Sequence, residues 1–114
     1  MATRTYTTFA DFFPFYLREH AKPSTRALHY FGTTLVIAVA LYAIIAGKWV
    51  FLLLMPVAGY FFAWVAHFFV EKNRPATFTY PLWSLAADFK MYFLWLTGQL
   101  PRHLAAAGVE PANA

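Results

Sequence analysis

The sequence predicts an all-α integral membrane helical bundle, and three observations support this fold class. Hydrophobic residues make up 61% of the 114 residues, while charged residues make up 12%. Two runs, residues 27–46 and 49–70, contain no Asp, Glu, Lys or Arg. Each run is long enough to cross the hydrocarbon core of a bilayer as a helix, which takes about 20 residues. A chain this small cannot bury so much apolar surface as a soluble monomer.

The two apolar runs predict a tight transmembrane hairpin. We expect the first transmembrane helix over residues 24–46 and the second over residues 49–71. Only Gly47 and Lys48 separate the two runs, so the helices must be antiparallel neighbours. Because a glycine readily ends a helix, Gly47 is the expected end of the first one.

Three further segments complete the single domain predicted for residues 1–114. Residues 9–21 carry an apolar stripe at helical spacing, which is typical of an amphipathic helix lying in the membrane interface. The members of this stripe are Phe9, Phe12, Phe13, Tyr16 and Leu17. Residues 81–99 predict a third membrane helix, with Pro81 in its first turn. Residues 101–114 predict a flexible tail.

Positive residues flank the open end of the predicted hairpin. They are Arg4, Arg18, Lys22 and Arg26 before the first helix, and Lys72 and Arg74 after the second. The connecting turn holds Lys48 alone. By the positive-inside rule, the N-terminus and the loop over residues 71–80 face the cytoplasm. The net charge of +4 therefore indicates topology, and we expect no nucleic-acid partner.

Ionisable side chains inside the predicted membrane helices mark a candidate site, because such groups are costly in a bilayer and usually face the protein interior. His29 and His67 lie at nearly equal distances from the turn, so they have similar depth. Asp88 lies at a comparable depth, and His20 ends the interfacial helix at the same rim. Glu71 shares a face with His67 at a spacing of four residues. With no cysteine in the chain, this nitrogen and oxygen set suits Fe(II), Mn(II) or Zn(II).

Each of these residues also has a structural interpretation. His20 could be an amphipathic side chain at the membrane surface. His29 and His67 could form an inter-helix hydrogen bond within the hairpin. Glu71 could pair with Lys72 or Arg74, while Asp88 and Lys90 could together keep a membrane helix electrically neutral. We expect no role for His103.

Two segments of the chain resemble a known family. The first is Tyr16-Leu17-x-x-His20-x-x-Pro23-x-x-Arg26-x-x-His29-x-x-Gly32-Thr33. The second is Ala66-His67-Phe68-Phe69-Val70-Glu71-x-Asn73-Arg74-Pro75-Ala76. Together they resemble the Mpo1-like family over roughly residues 9–100. The segment Pro81-Leu82-Trp83-Ser84-Leu85, followed by Asp88, is similar to the short bacterial branch, which implies location in a bacterial inner membrane.

The resemblance implies a function. The characterised fungal member is an Fe(II)-dependent dioxygenase of fatty-acid α-oxidation, which uses O₂ to convert a long-chain 2-hydroxy fatty acid to the acid one carbon shorter. By resemblance, His20, His29 and His67 are the metal ligands. Glu71 and Asp88 are the candidate catalytic carboxylates. The metal site then lies on the cytoplasmic side.

The substrate would be bound by two features of the chain. Arg18, Arg26 or Arg74 at the rim could hold its carboxylate, because an arginine can bind a carboxylate through two hydrogen bonds. The acyl chain would lie between helices at lipid depth. A homo-oligomer is compatible with the aromatic faces, but nothing in the sequence specifies one.

Other function classes stay open. One is a zinc-dependent lipid hydrolase with Glu71 as the base. Another is a non-catalytic membrane or lipid-binding module whose histidine cluster is structural. An ion-transporting oligomer is less favoured, because residues 36–46 and 49–58 offer no polar path.

Overall fold

The computed structural model describes residues 5–109, and these residues form helices and no strand. Arg4 and the predicted tail residues 110–114 lie outside the described residues. The all-helical fold class is confirmed. The α-helices within residues 5–109 are α1 Phe9–Arg18, α2 Pro23–Ile45, α3 Leu54–Val65, α4 Pro81–Leu96 and α5 Leu100–Ala107.

Helices α2 and α3 form the predicted hairpin. A 3₁₀ turn, Trp49–Leu53, leads into α3, and a π-helical turn, Ala66–Glu71, follows it; we call the latter the π-turn. Gly47 adopts a left-handed φ of 65°, which a glycine reaches without steric cost. The two helices approach closely at Gly32, where an added Cβ would lie 3.2 Å from the Cβ of Phe62.

Two segments are long and apolar enough to cross a membrane. They are Pro23–Ile45 and Trp49–Glu71, each with a mean hydropathy of 1.9. Only 17% and 11% of their most apolar stretches are buried, so neither resembles the core helix of a soluble protein. Large apolar side chains such as Ile45, Leu53 and Phe69 are exposed.

Helix α4 is not among these segments. It has 16 residues and ends at Leu96, rather than at residue 99. At 1.5 Å per residue it is about 24 Å long, shorter than a bilayer core. It packs on the first half of α2, where the hydroxyls of Tyr92 and Thr34 lie 2.8 Å apart and the rings of Tyr30 and Trp95 stack.

The apolar face of α1 is covered by protein. Phe12, Phe13, Tyr16 and Leu17 are buried, and α1 contacts both α4 and α5. The amphipathic helix predicted for the membrane interface exists, but these side chains pack on the other helices and are withdrawn from lipid. Helical periodicity identifies an apolar face without identifying what covers it.

The chain after residue 100 is not frayed throughout, which corrects the prediction of a flexible tail. Residues Leu100–Ala107 form α5, with Leu100, Leu104 and Ala107 buried. Pro101 lies in the first turn of α5, where its missing N–H breaks no helical hydrogen bond. The Nη1 of Arg18 donates to the carbonyl of Ala107 across 3.2 Å, which ties the end of α5 to α1.

Candidate metal centre

Three histidines from three separate elements meet inside the fold. His20 follows the end of α1, His29 belongs to α2, and His67 lies in the π-turn. The Nε2 of His20 lies 3.0 Å from the Nε2 of His29 and 3.0 Å from that of His67. All three side chains are buried, with exposed fractions of 1%, 5% and 2% in chain order.

The Nδ1 atom of each histidine is engaged away from the centre. That of His20 lies 2.6 Å from the carbonyl oxygen of Tyr16, and that of His29 lies 2.9 Å from the carbonyl oxygen of Thr25. Because a carbonyl oxygen can only accept, both Nδ1 atoms must carry the proton. In a neutral ring the Nε2 atom is then an unprotonated acceptor.

His67 is held in the same tautomer by Asn73. Its Nδ1 lies 2.7 Å from the side-chain oxygen of Asn73. The Asn73 amide nitrogen donates to the carbonyl of Glu19 across 3.0 Å, which leaves the amide oxygen facing His67. Three Nε2 lone pairs therefore converge on one point, an arrangement that could hold a cation between them.

The donor set fits a divalent transition metal. Two ligands at right angles on a metal with bonds of about 2.1 Å are separated by about 3.0 Å, which matches the two Nε2 separations. Neutral imidazoles suit iron, zinc, copper and nickel. Burial, followed by the proximity of His29 and His67, lowers the pKa of His20 well below its usual range. His20 thus keeps the neutral form that a metal requires.

The π-turn aims His67 at this centre. The N–H of Asn73 bonds to the carbonyl of His67 across 2.9 Å, and Lys72 adopts a left-handed φ of 65°. This backbone folds the chain after the π-turn back, so that Asn73 reaches the ring of His67. Single π-turns within helices occur frequently at functional sites.

Glu71 does not join the histidines. Its Oε1 accepts from the backbone N–H groups of Ala21, at 2.7 Å, and Lys22, at 3.2 Å. Its Oε2 accepts from the hydroxyl of Thr25 across 3.0 Å. The expected alignment of Glu71 with His67 assumes an α-helix, in which one added residue changes the direction of a side chain by roughly 100°. The π-turn adds that residue, so Glu71 faces the start of α2.

Asp88 is not one of the three clustered ligands, but it lines a cavity beside them. Its Oδ1 accepts a hydrogen bond from the hydroxyl of Tyr16. The Tyr16 ring packs on His20, with the ring centroids 4.1 Å apart. Burial, followed by the charge of Asp88, raises the pKa of Tyr16 well above its usual value, so Tyr16 keeps its proton.

The cavity lies between α2, α3 and α4 and has a volume of about 290 Å³. His29, Thr33 and Asp88 lie at its polar end, and apolar side chains form most of the remainder. The remaining lining residues are Val36, Met55, Pro56, Gly59, Tyr60, Ala63, Leu85 and Phe89. His29 and Thr33 are buried, whereas every other lining residue is half-buried or exposed. The cavity is therefore a groove that is closed at the histidine end and open along its apolar length.

The three arginines predicted to bind substrate lie outside this groove. The Nη1 of Arg26 donates to the carbonyls of His20 and Ala21, at 2.8 Å each, and so fixes the segment that carries His20. Arg18 bonds to the end of α5, as described above. Arg74 lies over the ring of Phe78 at 5.0 Å. His103 lies on α5 near Phe13, away from the cluster.

Sequence reasoning assigned no role to three residues that support the site: Tyr16, Thr25 and Asn73. Tyr16 and Asn73 stand within the family motifs, which could have singled them out. Their roles depend on the direction of backbone carbonyls and on the π-turn, neither of which is visible in residue spacing. Thr25 precedes His29 by four residues, the spacing at which a helical side chain reaches a backbone carbonyl.

Comparison with known proteins identifies the family. The family model described as "2-hydroxy-palmitic acid dioxygenase Mpo1-like" matches residues 6–100. No curated protein and no solved structure matches the chain. The matched residues include the three histidines, Asn73, Glu71 and Asp88, and cover most of the sequence. This chain therefore belongs to the Mpo1-like family.

Proposed function

We propose that this chain is a membrane-bound Fe(II)-dependent dioxygenase of fatty-acid α-oxidation. It would use O₂ to convert a long-chain 2-hydroxy fatty acid to the acid one carbon shorter. The convergence of three unprotonated Nε2 atoms carries this proposal, because such an arrangement can bind a cation. The family description supplies the reaction class. Loss of the carboxyl carbon as CO₂ balances with one O₂ and releases one water.

His20, His29 and His67 would hold the metal as three neutral ligands. Bound there, Fe(II) would supply open coordination positions for substrate and O₂, while the 2-hydroxy acid itself would supply the four electrons that reduce O₂. The protein's own contribution is orientation and exclusion of water. Three hydrogen bonds fix the imidazole rings, and the burial of all three rings keeps bulk water from the centre.

The groove would bind the acyl chain. Its polar end contains His29, so a carboxylate and hydroxyl headgroup placed there reaches the metal centre while the chain follows the apolar walls. From His29 to Val36, α2 rises by roughly 10 Å. A long chain would therefore extend past the groove. Binding of the carboxylate by Arg18, Arg26 or Arg74 stays a prediction, since none of the three lines the groove.

We propose that the substrate reaches the groove from the bilayer. Pro23–Ile45 and Trp49–Glu71 would span the membrane with their exposed apolar faces in lipid. The open side of the groove would face the acyl chains of one leaflet. The positive residues near the histidine end favour the cytoplasmic leaflet of a bacterial inner membrane. Dimerisation is not needed to complete the site.

Metal content tests this proposal first. The protein is purified anaerobically in mild detergent, loaded with Fe(II), and compared with a His29→Ala/His67→Ala variant. His103→Ala is the matched control, because His103 lies away from the cluster. We expect about one iron per chain in the wild type and the control, and loss of iron in the double variant.

Activity is measured next, as O₂ consumption and CO₂ release with 2-hydroxypalmitate. Stoichiometric zinc that resists exchange, without O₂ consumption, would favour the hydrolase alternative. A folded wild type that binds no metal would favour a structural role for the histidines and would contradict the proposal.

A further inference from the structure

Asp88 accepts a hydrogen bond from Tyr16, and the proposed function gives this contact no role. Asp88 lies at the polar end of the groove with His29, and the hydroxyl of Tyr16 donates a hydrogen bond to Asp88. Tyr16 is almost fully buried, at 1% exposed. The tyrosine therefore contacts two parts of the site: its ring packs on His20, and its hydroxyl holds the carboxylate of Asp88.

We propose that Asp88, positioned by Tyr16, recognises the 2-hydroxyl group of the substrate and so distinguishes a 2-hydroxy fatty acid from the plain fatty acid. This inference rests on the proposed function. Asp88 is the specificity-determining residue, and Tyr16 is a positioning residue.

The chemistry of the pair favours a hydroxyl ligand. Burial raises the pKa of the Asp88 carboxyl to about 7, and in either protonation state its Oδ1 offers two acceptor lone pairs. One bond from Tyr16 therefore leaves acceptor capacity for a second donor. The 2-hydroxyl is a donor, and a plain fatty acid has no hydroxyl at that carbon. Once the acyl chain covers the groove, an acceptor left without its donor carries a desolvation cost, so the site would bind the plain acid less well.

Asp88 would also orient the headgroup. The substrate carries its own carboxylate, which a cation held by the histidines would attract strongly in a groove with apolar walls. The substrate carboxylate would therefore turn toward the histidine centre, and the hydroxyl would turn toward Asp88. Thr33 and Tyr60 add hydroxyls to the lining, but neither offers a carboxyl oxygen.

Ligand discrimination tests this inference without turnover. The dissociation constants of 2-hydroxypalmitate and palmitate are measured anaerobically on the Fe(II)-loaded protein, and their ratio is compared among variants. We expect the wild type to prefer the hydroxy acid. We expect Asp88→Ala to lower this preference about 3- to 10-fold, the range for a hydrogen bond between uncharged groups.

Three more variants separate recognition from general damage. Asp88→Asn keeps an acceptor oxygen and should restore part of the preference. Tyr16→Phe keeps the ring on His20 and should lower the preference for the hydroxy acid by an intermediate amount. If Asp88→Ala does not fold, this variant still tests whether the pair recognises the hydroxyl. Tyr92→Phe is the matched control, because it removes another buried tyrosine hydroxyl, one that bonds to Thr34 and does not line the groove, and it should leave the ratio unchanged.

The outcomes are distinct for the two proposals. A preference unchanged in both Asp88→Ala and Tyr16→Phe, with iron content intact, overturns the role of Asp88 and leaves the proposed function standing. A wild type that binds iron but shows no preference overturns the inference together with the 2-hydroxy acid assignment. A wild type without iron overturns the proposed function itself.

Discussion

The side-chain oxygen of Asn73 lies 2.7 Å from Nδ1 of His67, six residues away in the chain. This contact fixes both the tautomer and the direction of the imidazole ring. Partners of this kind, which bond to the far side of a ligating histidine, are often as important to a metal site as the ligands. Here the partner is itself held by the carbonyl of Glu19.

Replacement of Asn73 tests the importance of this contact. We expect Asn73→Ala to weaken metal affinity about 10- to 100-fold, the usual cost of losing such a partner, while the helices stay intact. The measurement is an Fe(II) or Zn(II) titration with circular dichroism as the fold check. Gln99→Ala is the control, because its amide bonds only to exposed groups. An affinity equal to the wild type would show that His67 needs no partner.

Glu71 could hold the chain at the start of α2 or act as a catalytic base, and the two roles predict different effects of substitution. Because Glu71 bonds to the N–H groups of Ala21 and Lys22, just before α2, we expect Glu71→Ala to lower the free energy of unfolding by about 1 kcal/mol, the usual net contribution of a hydrogen bond. Glu71→Gln keeps an acceptor and should retain most of the activity. The measurements are thermal unfolding and O₂ consumption. A stable Glu71→Gln variant without activity would instead support the catalytic assignment.

The low pKa of His20 predicts the pH dependence of the metal-free protein. In the unfolded chain His20 takes up a proton as the pH falls below about 6.5, whereas the buried ring in the folded protein stays neutral. The unfolded state then binds more protons at this site, so the contribution of His20 to the free energy of unfolding falls as the pH drops below 6.5 and is unaffected above it. The loss is at most about 1.4 kcal/mol per pH unit.

Thermal unfolding of the chelator-treated protein between pH 5 and pH 8 measures this effect. His20→Asn is the comparison, because asparagine does not titrate, and it should show a shallower decline on acidification. A decline in His20→Asn that is as steep as in the wild type would show that His20 does not stay neutral in the folded state, which contradicts the proposed tautomer.

The sequence predicted the features that follow from hydropathy and spacing. Two uncharged runs and Gly47 predicted the hairpin, and equal distances from the turn predicted that His29 and His67 meet. Features that depend on a local change of helix type were not predictable. The π-turn redirected Glu71, and the burial of Phe12 and Leu104 required tertiary contacts between α1, α4 and α5 that no single amphipathic pattern specifies.

Because the groove extends away from the histidines, we expect that acyl-chain binding can be weakened without loss of the metal. Ala63 lines the groove between the apolar walls and His29, so a larger side chain there should occupy the space of the first methylenes. We expect Ala63→Phe to keep its iron but to weaken binding of 2-hydroxypalmitate at least about tenfold, since each buried CH₂ contributes about 0.8 kcal/mol.

Val57→Phe is the control, because Val57 is 62% exposed and lies outside the groove. Iron analysis and an anaerobic binding titration give the two readouts. Equal affinity in Ala63→Phe and Val57→Phe would show that the acyl chain lies elsewhere, whereas loss of iron in Ala63→Phe alone would show that the groove and the histidine cluster cannot be changed independently.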